Sequence, residues 1–326
     1  MNKQKVELLS PAGNLEKLKI AINYGADAVY AGVSHFSLRI RASKEFTFET
    51  FKEGIGYAHA RGKKVYATIN GFPFNSQIDL LKKHIATMAA LKPDAFIVAA
   101  PGVVQLCREI APQIDIHLST QANVLNYLDA KVYWDMGVRR IVVAREISLK
   151  DVVEIKKYLP DMEIEIFVHG SMCFAYSGRC LISAVQMGRV PNRGSCANDC
   201  RFEYTLYAGN DDHGTLFRLE EEPGVGTYIF NSKDMNLASH IKEILDSGAV
   251  DSLKIEGRTK SPYYAAVTAK AYRNAIDDYY AGKFEPELYQ KELYTTKNRG
   301  FTDAYLIHRP FEKTDSQNHD YALSKG

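Results

Sequence analysis

Four of the five cysteines in this sequence lie in one short stretch, and their thiols are the side chains best suited to chemistry. The spacing is Cys-x6-Cys-x15-Cys-x3-Cys, at Cys173, Cys180, Cys196 and Cys200. Structural zinc sites favour closely spaced cysteine pairs, whereas an iron–sulfur cluster accepts wider spacing because each thiolate binds a different iron. The pattern therefore favours an iron–sulfur cluster, with four reduced cysteines and no ligand as the alternative. Cys107, in the helical pattern VVQLCREIA, is predicted to be a core residue.

The compartment expected from the sequence agrees with reduced thiols. The first residues, MNKQKVELLSPAG, contain no apolar segment of signal-peptide length, and no run of about 18 apolar residues occurs anywhere. We therefore expect a cytoplasmic protein with no membrane segment. Disulfides are rare in the cytoplasm, so clustered cysteines there more often hold a metal.

Length and composition indicate an ordinary globular protein. The chain has 326 residues, of which 46% are hydrophobic and 25% charged, and its formal net charge is +2. A nucleic-acid-binding protein usually carries a strong basic excess, so the overall charge does not predict one. A local basic patch would still permit RNA binding.

The elements that must position the cysteines alternate between short apolar strands and amphipathic helices. Apolar residues three and four apart predict helices at 15–24, 48–60, 76–91 and 149–158, and a long final one at 263–280. Eight strands joined by such helices predict a TIM-like (β/α)8 barrel, with an open doubly wound α/β sheet as the alternative. The predicted strands are 6–9, 28–31, 64–69, 95–99, 114–118, 140–144, 163–168 and 252–255.

The seventh and eighth strands are separated by an insertion of about 60 residues, 170–230, which carries all four clustered cysteines. Barrel enzymes build their sites at the carboxyl ends of strands, where this insertion begins. We predict one barrel domain over 1–283 that includes the insertion, followed by an irregular segment over 284–326. The polar last residues, DSQNHDYALSKG, are expected to be a flexible end or a cut before a further small domain.

Polar side chains follow most of the predicted strands. The carboxyl ends of the strands meet at one barrel mouth, so we expect these side chains to line a site there. They are Ser10, Asn70, Gln121, Asn123, Arg145, Glu146, Glu256 and Arg258. Glu256 and Arg258 are candidate catalytic residues, or they pair with each other and merely close the barrel. His169 is predicted to point into the mouth as a proton donor, substrate contact or partner of a cluster sulfur, or else to be structural.

Several stretches resemble one known family. The segments EIFVHGSMCFAYSGRCLIS (165–183) and NRGSCANDCRFEY (192–204) are similar to the cysteine signature of the collagenase-like peptidases, family 32 of the unclassified (U) peptidases. The opening ELLSPAGNLEKLKIAINYGADAVYAG and the segment LSTQANV (118–124) are similar to the same family. The resemblance covers essentially the whole chain. Two common protease motifs, His-Glu-x-x-His and Gly-x-Ser-x-Gly, are nevertheless absent from the sequence.

The resemblance implies an activity on RNA. Several branches of this family are iron–sulfur proteins that support oxygen-independent hydroxylation in tRNA, in ribosomal RNA and in ubiquinone biosynthesis. This chain resembles the branch that forms 5-hydroxyuridine at the wobble position of tRNA, with prephenate as the implied hydroxyl source. Ubiquinone-branch members draw one cysteine from elsewhere in the chain. Here the implied ligands of a [4Fe-4S] cluster all lie in the insertion: Cys173, Cys180, Cys196 and Cys200.

A site for prephenate would need cations, because prephenate carries two carboxylates. Arg145, Arg258 and an insertion arginine such as Arg193 are candidates, since a guanidinium matches a carboxylate with two hydrogen bonds. The helix that opens after SPAGNLE offers a further anion site at its amino end. In the simpler interpretation, Asn14 only caps that helix.

Two loops are candidate contacts for the anticodon loop of tRNA. The loop RIRASKEF, residues 39–46, is basic, and Phe72 and Phe74 in NGFPFN could stack an unpaired base. An ordinary solvated charge run and a packed loop are the alternatives.

Two other functions stay open at this point. A peptidase could use Cys173 with His169, four residues apart, but that would leave three cysteines without a role. A cluster-bearing subunit that acts only with a homologous partner is the non-catalytic alternative.

Overall fold

The structure is a computed structural model that describes residues 5–33, 36–38, 46–209, 216–218 and 232–308. The basic loop predicted to contact RNA lies outside the described residues except for Phe46, which is buried. Residues 309–326, which include the polar end DSQNHDYALSKG, lie outside them as well. Within the described part of the chain, no helix is long and apolar enough to cross a membrane.

Eight parallel strands form a closed barrel, which confirms the predicted fold. The barrel strands are β1 (Glu7–Pro11), β2 (Ala28–Ala31), β3 (Lys64–Ile69), β4 (Ala95–Val98), β5 (Asp115–Leu118), β6 (Arg140–Val142), β7 (Glu163–Ser171) and β11 (Ser252–Ile255). Each of β1 to β6 pairs with its successor, and β11 pairs with both β7 and β1, which closes the ring. The other strands are β8 (Tyr207–Gly209), β9 (Leu216–Arg218), β10 (Asp234–Asn236) and β12 (Phe301–Thr302).

Helices cover the outside of the barrel, and one short helix, Ile182–Met187, lies instead in the cysteine-bearing insertion. They are α1 (Leu15–Asn23), α2 (Phe48–His59), α3 (Ile78–Ala90), α4 (Pro101–Ile110), α5 (Tyr127–Asp135), α6 (Leu149–Tyr158), α7 (Ile182–Met187), α8 (Ile241–Asp246), α9 (Pro262–Tyr280) and α10 (Pro286–Leu293). Capping side chains start several of them, such as Thr47 before α2 and Ser148 before α6. Asn14 accepts a hydrogen bond from Lys17 N at 2.9 Å, so it caps α1.

The strands bury apolar side chains on both faces. Outward residues such as Leu8, Val29 and Val65 pack beneath the helices in the main core. Inward residues form a smaller cluster inside the barrel: Leu9, Ala28, Tyr30, Tyr66, Ala95 and Ile97. Both faces are buried, as expected for a parallel barrel, and for this reason its strands are nearly continuous apolar runs.

The amino-terminal end of the barrel interior holds a paired ionic network, which we call the floor. Arg140 lies 2.5 Å from Glu7, 2.7 Å from Glu163 and 3.3 Å from Glu165, measured between guanidinium nitrogens and carboxylate oxygens. Lys254 Nζ lies 2.6 Å from the second oxygen of Glu165. Inside the barrel, each of these charges has an opposite charge within hydrogen-bonding distance.

The segment after residue 283 differs from the irregular segment predicted for it. It contains α10, which begins at Pro286 and buries Tyr289 and Leu293. The Tyr289 hydroxyl donates to Asp278 in α9 at 2.7 Å. A helix of two turns with two buried positions carries too weak a periodicity to recognise from sequence.

Candidate functional site at the barrel mouth

A pocket lies at the carboxyl ends of the strands, between the barrel and the cysteine-bearing insertion. Its cavity volume is about 130 Å³, which is several times the space that one water molecule needs. The barrel contributes side chains from the ends of many strands: Tyr30, Asn70, Ile97, Gln121, Val142, Arg145, Phe167, Lys254, Glu256 and Arg258. The insertion covers them with Phe174, Ser177, Ser183, Asp199 and all four clustered cysteines. The structure thus brings Asn70, Gln121, Arg145, Glu256 and Arg258 together with the cysteines.

The four insertion thiols surround one cavity and influence one another. Burial and the neighbouring cysteines raise the pKa of Cys180, although backbone N–H groups partly oppose them. Burial likewise raises the pKa of Cys200, with Arg201 acting in the opposite direction. A bound cation would offset these raised pKa values, because it stabilises the thiolate, which is the form that binds a metal.

All four insertion thiols line the same cavity. Among the described residues, no three His, Cys, Asp or Glu side chains are close enough to hold one metal ion. In a cluster each thiolate binds a different iron, so the four sulfurs stand around the group instead of meeting at a point. Thiols placed around a shared cavity match that requirement.

Hydrogen bonds from the insertion attach it to the barrel loops. Glu146, after β6, accepts from Ser177 N at 2.7 Å and from Ser177 Oγ at 2.5 Å. Arg179 Nε donates to the Gln121 carbonyl at 2.8 Å. Glu146 is not among the described residues that line the pocket. It holds Ser177, which lies between the first two cysteines at a left-handed φ of 43°.

Among the residues that the structure describes, three cations line the barrel side of the pocket. Lys254 is paired with Glu165 below it. Arg258 donates to Ser37 Oγ at 2.8 Å, to Thr68 Oγ1 at 3.2 Å and to the Leu38 carbonyl. The Arg145 guanidinium lies 4.1 Å from the centre of the Phe167 ring. This wall is therefore suited to an anionic ligand.

His169 does not point into the pocket, so the predicted orientation is wrong. Its ring is buried among Tyr264, Tyr272 and Phe301, outside the barrel. The cause is a register shift: Lys254 pairs with Phe167, but Ile255 pairs with His169. His169 therefore shares the outward face of Ile255.

The next residue shows how closely the strands approach at this shift. Gly170 has a φ of +115°, and a Cβ there would come within 2.7 Å of the Glu256 carbonyl oxygen.

Burial lowers the pKa of His169 to about 3, with Lys260 acting in the same direction. The imidazole is therefore neutral at physiological pH.

The remaining predicted residues lie around the pocket without lining it. Asn123 ends the turn after β5 at a φ of 62°, and Ser10 is buried in β1. Arg193 is a half-buried residue of the insertion, with its guanidinium 4.4 Å from the centre of the Phe74 ring.

The sequence matches one known protein family and several of its members. Residues 13–316 match the sequence profile of Peptidase family U32. The chain belongs to this family. It is 70% identical over 322 residues to tRNA hydroxylation protein P of Helicobacter pylori strain J99, which covers 99% of this chain and 76% of that protein. It is 43% identical over 358 residues to the Escherichia coli K12 protein of the same name, covering 98% and 78%.

A solved structure also resembles the barrel. The U32 peptidase Mk0906 superposes with a TM-score of 0.50 at 15% sequence identity, covering 79% of this chain and 96% of that one. At this identity the likeness supports the fold alone. The family resemblance inferred from the cysteine signature is confirmed.

Some residues that line the pocket are not predicted from the sequence. Asp199 lies between two cysteines and is fully buried, and neither carboxylate oxygen has a hydrogen-bond partner within the described ranges. Lys254 and Tyr30 project inward from apolar strands. A signal for Lys254 was present, because a lysine inside the buried strand SLKI needs a partner or a function. Nothing in the local sequence marks Asp199 as buried.

Proposed function

We propose that this protein converts the wobble uridine of tRNA to 5-hydroxyuridine without molecular oxygen. The observation that carries the proposal is its 70% identity, over nearly its whole length, to a tRNA hydroxylation protein. The pocket supports it, because four thiols, three cations and unpartnered hydrogen-bond acceptors line one cavity at the barrel mouth. A protein that modifies tRNA works where tRNA is, so we place it in the cytoplasm.

The four thiols are the part of the pocket that would hold a cofactor. Cys173, Cys180, Cys196 and Cys200 would bind an iron–sulfur cluster, most simply [4Fe-4S]. With one thiolate on every iron, such a cluster would supply electron transfer or structural support instead of an open coordination position. The hydrogen bonds from Ser177 to Glu146 hold the chain between the first two ligands in place.

The cationic wall is the part of the pocket that would bind the hydroxyl donor. Hydroxylation exchanges the C5–H bond of uracil for C5–OH and removes two electrons from the base. Without oxygen, the donor accepts those electrons as it exchanges its C–OH bond for C–H. Arg145 and Arg258 are suited to the two carboxylates of a donor such as prephenate, and burial of the Arg258 guanidinium strengthens the contact.

The surface beside the pocket is suited to single-stranded RNA. Phe74 is 58% exposed, and its backbone N–H is fixed by Gln77 Oε1 at 3.1 Å. The guanidinium of Arg193 lies over the Phe74 ring, and that of Arg179 lies 5.8 Å from the Phe72 ring. Phe72 N also donates to the Asn192 carbonyl at 3.3 Å, which joins this loop to the insertion. Aromatic and guanidinium planes of this kind stack unpaired bases while the charge attracts phosphate.

The geometry does not favour the peptidase alternative. A thiol protease needs a base beside its cysteine. Cys173 lines the pocket, but the His169 ring is packed outside the barrel against α9. With a pKa of about 3, His169 would also be too weak a base to take a thiol proton near neutral pH.

The proposal is tested with protein purified without oxygen. Iron, acid-labile sulfide and the visible absorption spectrum are measured first, and about four irons and four sulfides per chain are expected. The protein is then incubated with unmodified tRNA and prephenate, and nucleosides are identified by mass spectrometry. A colourless protein with four freely titrating thiols would overturn the cluster. A loaded protein that forms 5-hydroxyuridine only after cell extract is added would instead indicate the partner-dependent alternative.

A further inference from the structure

Two polar side chains in the pocket have acceptor atoms that the protein does not satisfy. Gln121 is 4% exposed and Asp199 is 0% exposed, and both line the cavity. In the described part of the chain, Gln121 Oε1 and both Asp199 carboxylate oxygens have no hydrogen-bond partner. Buried acceptors without donors cost free energy, so such groups are usually completed by something else. All three unmatched atoms are acceptors, so a ligand that completes them supplies donors.

The need for hydrogen-bond donors limits the chemical class of the ligand. Cysteine thiolates, cluster sulfides and the carboxylates of a dicarboxylic acid accept hydrogen bonds, and the single alcoholic O–H of a hydroxyl donor satisfies at most one of the three acceptors. A ribonucleotide, in contrast, carries an N–H on its base and O–H groups on its ribose. We propose that Gln121 reads the uracil of the target nucleotide and that Asp199 holds a hydroxyl of its ribose. This inference rests on the proposed function and adds the residues that would select the nucleotide.

The carboxamide of Gln121 has the complementary pattern for uracil. Uracil presents N3–H between the O2 and O4 carbonyls, so an amide can accept from N3–H through Oε1 and donate to O4 through Nε2. A carboxylate in that place would set its second oxygen against a uracil carbonyl. Asp199 is better suited to an isolated hydroxyl, and the ribose 2′-OH is the group that distinguishes RNA from DNA.

Gln121 is held in position before any ligand binds. It lies in a short turn in which Thr120 Oγ1 donates to the Val143 carbonyl at 3.0 Å and Ser119 N donates to the Val98 carbonyl at 2.7 Å. Its own carbonyl accepts from Arg179 Nε. Its Nε2 lies 3.9 Å from where a Cβ on Gly178 would be. The turn is thus fixed by two neighbouring strands and by the insertion, which favours a precise hydrogen bond.

The apolar lining offers a place for the base itself. Ile97, Val142 and Phe167 project from the strands, and Phe174 projects from the insertion. A flipped base is commonly held between apolar or aromatic side chains while polar groups read its edge.

The test uses the full chain, purified without oxygen, and short anticodon stem–loop RNAs that differ only at the wobble nucleotide. The probes carry uridine, N3-methyluridine or 2′-deoxyuridine, and dissociation constants are measured by fluorescence anisotropy. The wild-type protein is expected to bind the uridine probe roughly 10- to 100-fold more tightly than either modified probe. In Gln121→Leu the penalty for N3-methylation should disappear while the 2′-deoxy penalty remains. In Asp199→Ala the reverse is expected.

Matched surface variants, Gln105→Leu in α4 and Asp135→Ala in α5, should keep both penalties. Equal binding of all three probes by the wild-type protein overturns the inference alone, whereas no binding of any probe overturns the proposed function. If Gln121→Leu keeps the N3-methyl penalty, or Asp199→Ala keeps the 2′-deoxy penalty, the role proposed for that residue is wrong. Iron content is measured for each variant. If Asp199→Ala loses iron with both penalties intact, Asp199 serves the cysteine segment and its assignment to the ribose is wrong.

Discussion

The floor of the barrel and the pocket above it treat buried polar groups in opposite ways. On the floor, Arg140, Glu165 and Lys254 satisfy one another at distances of 2.6 to 3.3 Å. In the pocket, Asp199 and Gln121 keep acceptors that no described residue satisfies. Burying an unpaired polar group costs free energy in both places. The charges of the floor thus pair with one another, whereas the pocket keeps buried acceptors to which a ligand could donate.

The largest expected effect comes from breaking the pocket at its thiols. Cys200→Ala should abolish 5-hydroxyuridine formation, at least 100-fold, because removal of one ligand leaves the proposed cluster with three thiolates. Product per protein and iron content are measured together. Cys107→Ala is the matched control: Cys107 is buried in α4, and burial raises its pKa to about 12. That variant should retain iron and product, and a comparable loss in both variants would contradict the role of the insertion.

The second prediction breaks the floor. Glu165→Gln removes the fully buried carboxylate that pairs with both Arg140 and Lys254. The free energy of unfolding should fall by about 3–5 kcal/mol, because the buried Lys254 loses the carboxylate it pairs with, while Arg140 keeps Glu7 and Glu163. Urea denaturation measures the change.

Glu163 provides the matched control for the floor. Glu163→Gln breaks a 2.7 Å contact to the same Arg140, but the Glu163 side chain is 49% exposed. The cost there should be about 1 kcal/mol or less. Equal costs at the two positions would show that burial does not govern this network.

A third prediction concerns the rim of the pocket. Phe74→Ala should weaken binding of an anticodon stem–loop RNA by roughly tenfold, because stacking one base on an aromatic ring contributes about 1–3 kcal/mol. Tyr24→Ala is a control on an exposed aromatic residue at the end of α1, and it should bind as the wild-type protein does. The two are compared by fluorescence anisotropy, and equal affinities would remove Phe74 from the RNA surface.

The last prediction concerns the pH dependence of stability. The pKa of His169 is lowered from 6.5 to about 3 in the folded state. Between these values the unfolded chain binds more protons, so the contribution of His169 is fully present above about pH 6.5 and is lost as the pH falls toward 3. His169→Leu should therefore show a shallower decline of unfolding free energy with acidification, by up to about 1.4 kcal/mol per pH unit. Parallel curves for the two proteins would contradict the buried neutral imidazole.

The sequence allowed the barrel to be predicted more fully than the site. Residues 28–31, 64–69 and 252–255 were predicted with their observed bounds, since a buried strand after a helix leaves a strong local pattern. The placement of the strand ends at one mouth follows from parallel topology. The orientation of His169 does not, because it depends on a register shift between β7 and β11.

Contacts between distant segments were the other limit. Asp199 is buried within the insertion. Ser177 of the insertion donates a hydrogen bond to Glu146 in a barrel loop. No short window of sequence contains both partners. The predicted ligand set, in contrast, depends on four cysteines in one stretch, and it stays a prediction until iron is measured.

The position of the insertion also bears on how such a protein can change over evolutionary time. It lies in the excursion from the end of β7 to the start of β11, residues 172–251, and these two strands pair directly. The entropy of closing a loop grows only with the logarithm of its length, at about 0.6 kcal/mol for each doubling. Lengthening or replacing this excursion would therefore cost the barrel little. A fold arranged in this way can exchange one binding chemistry for another while its scaffold stays the same.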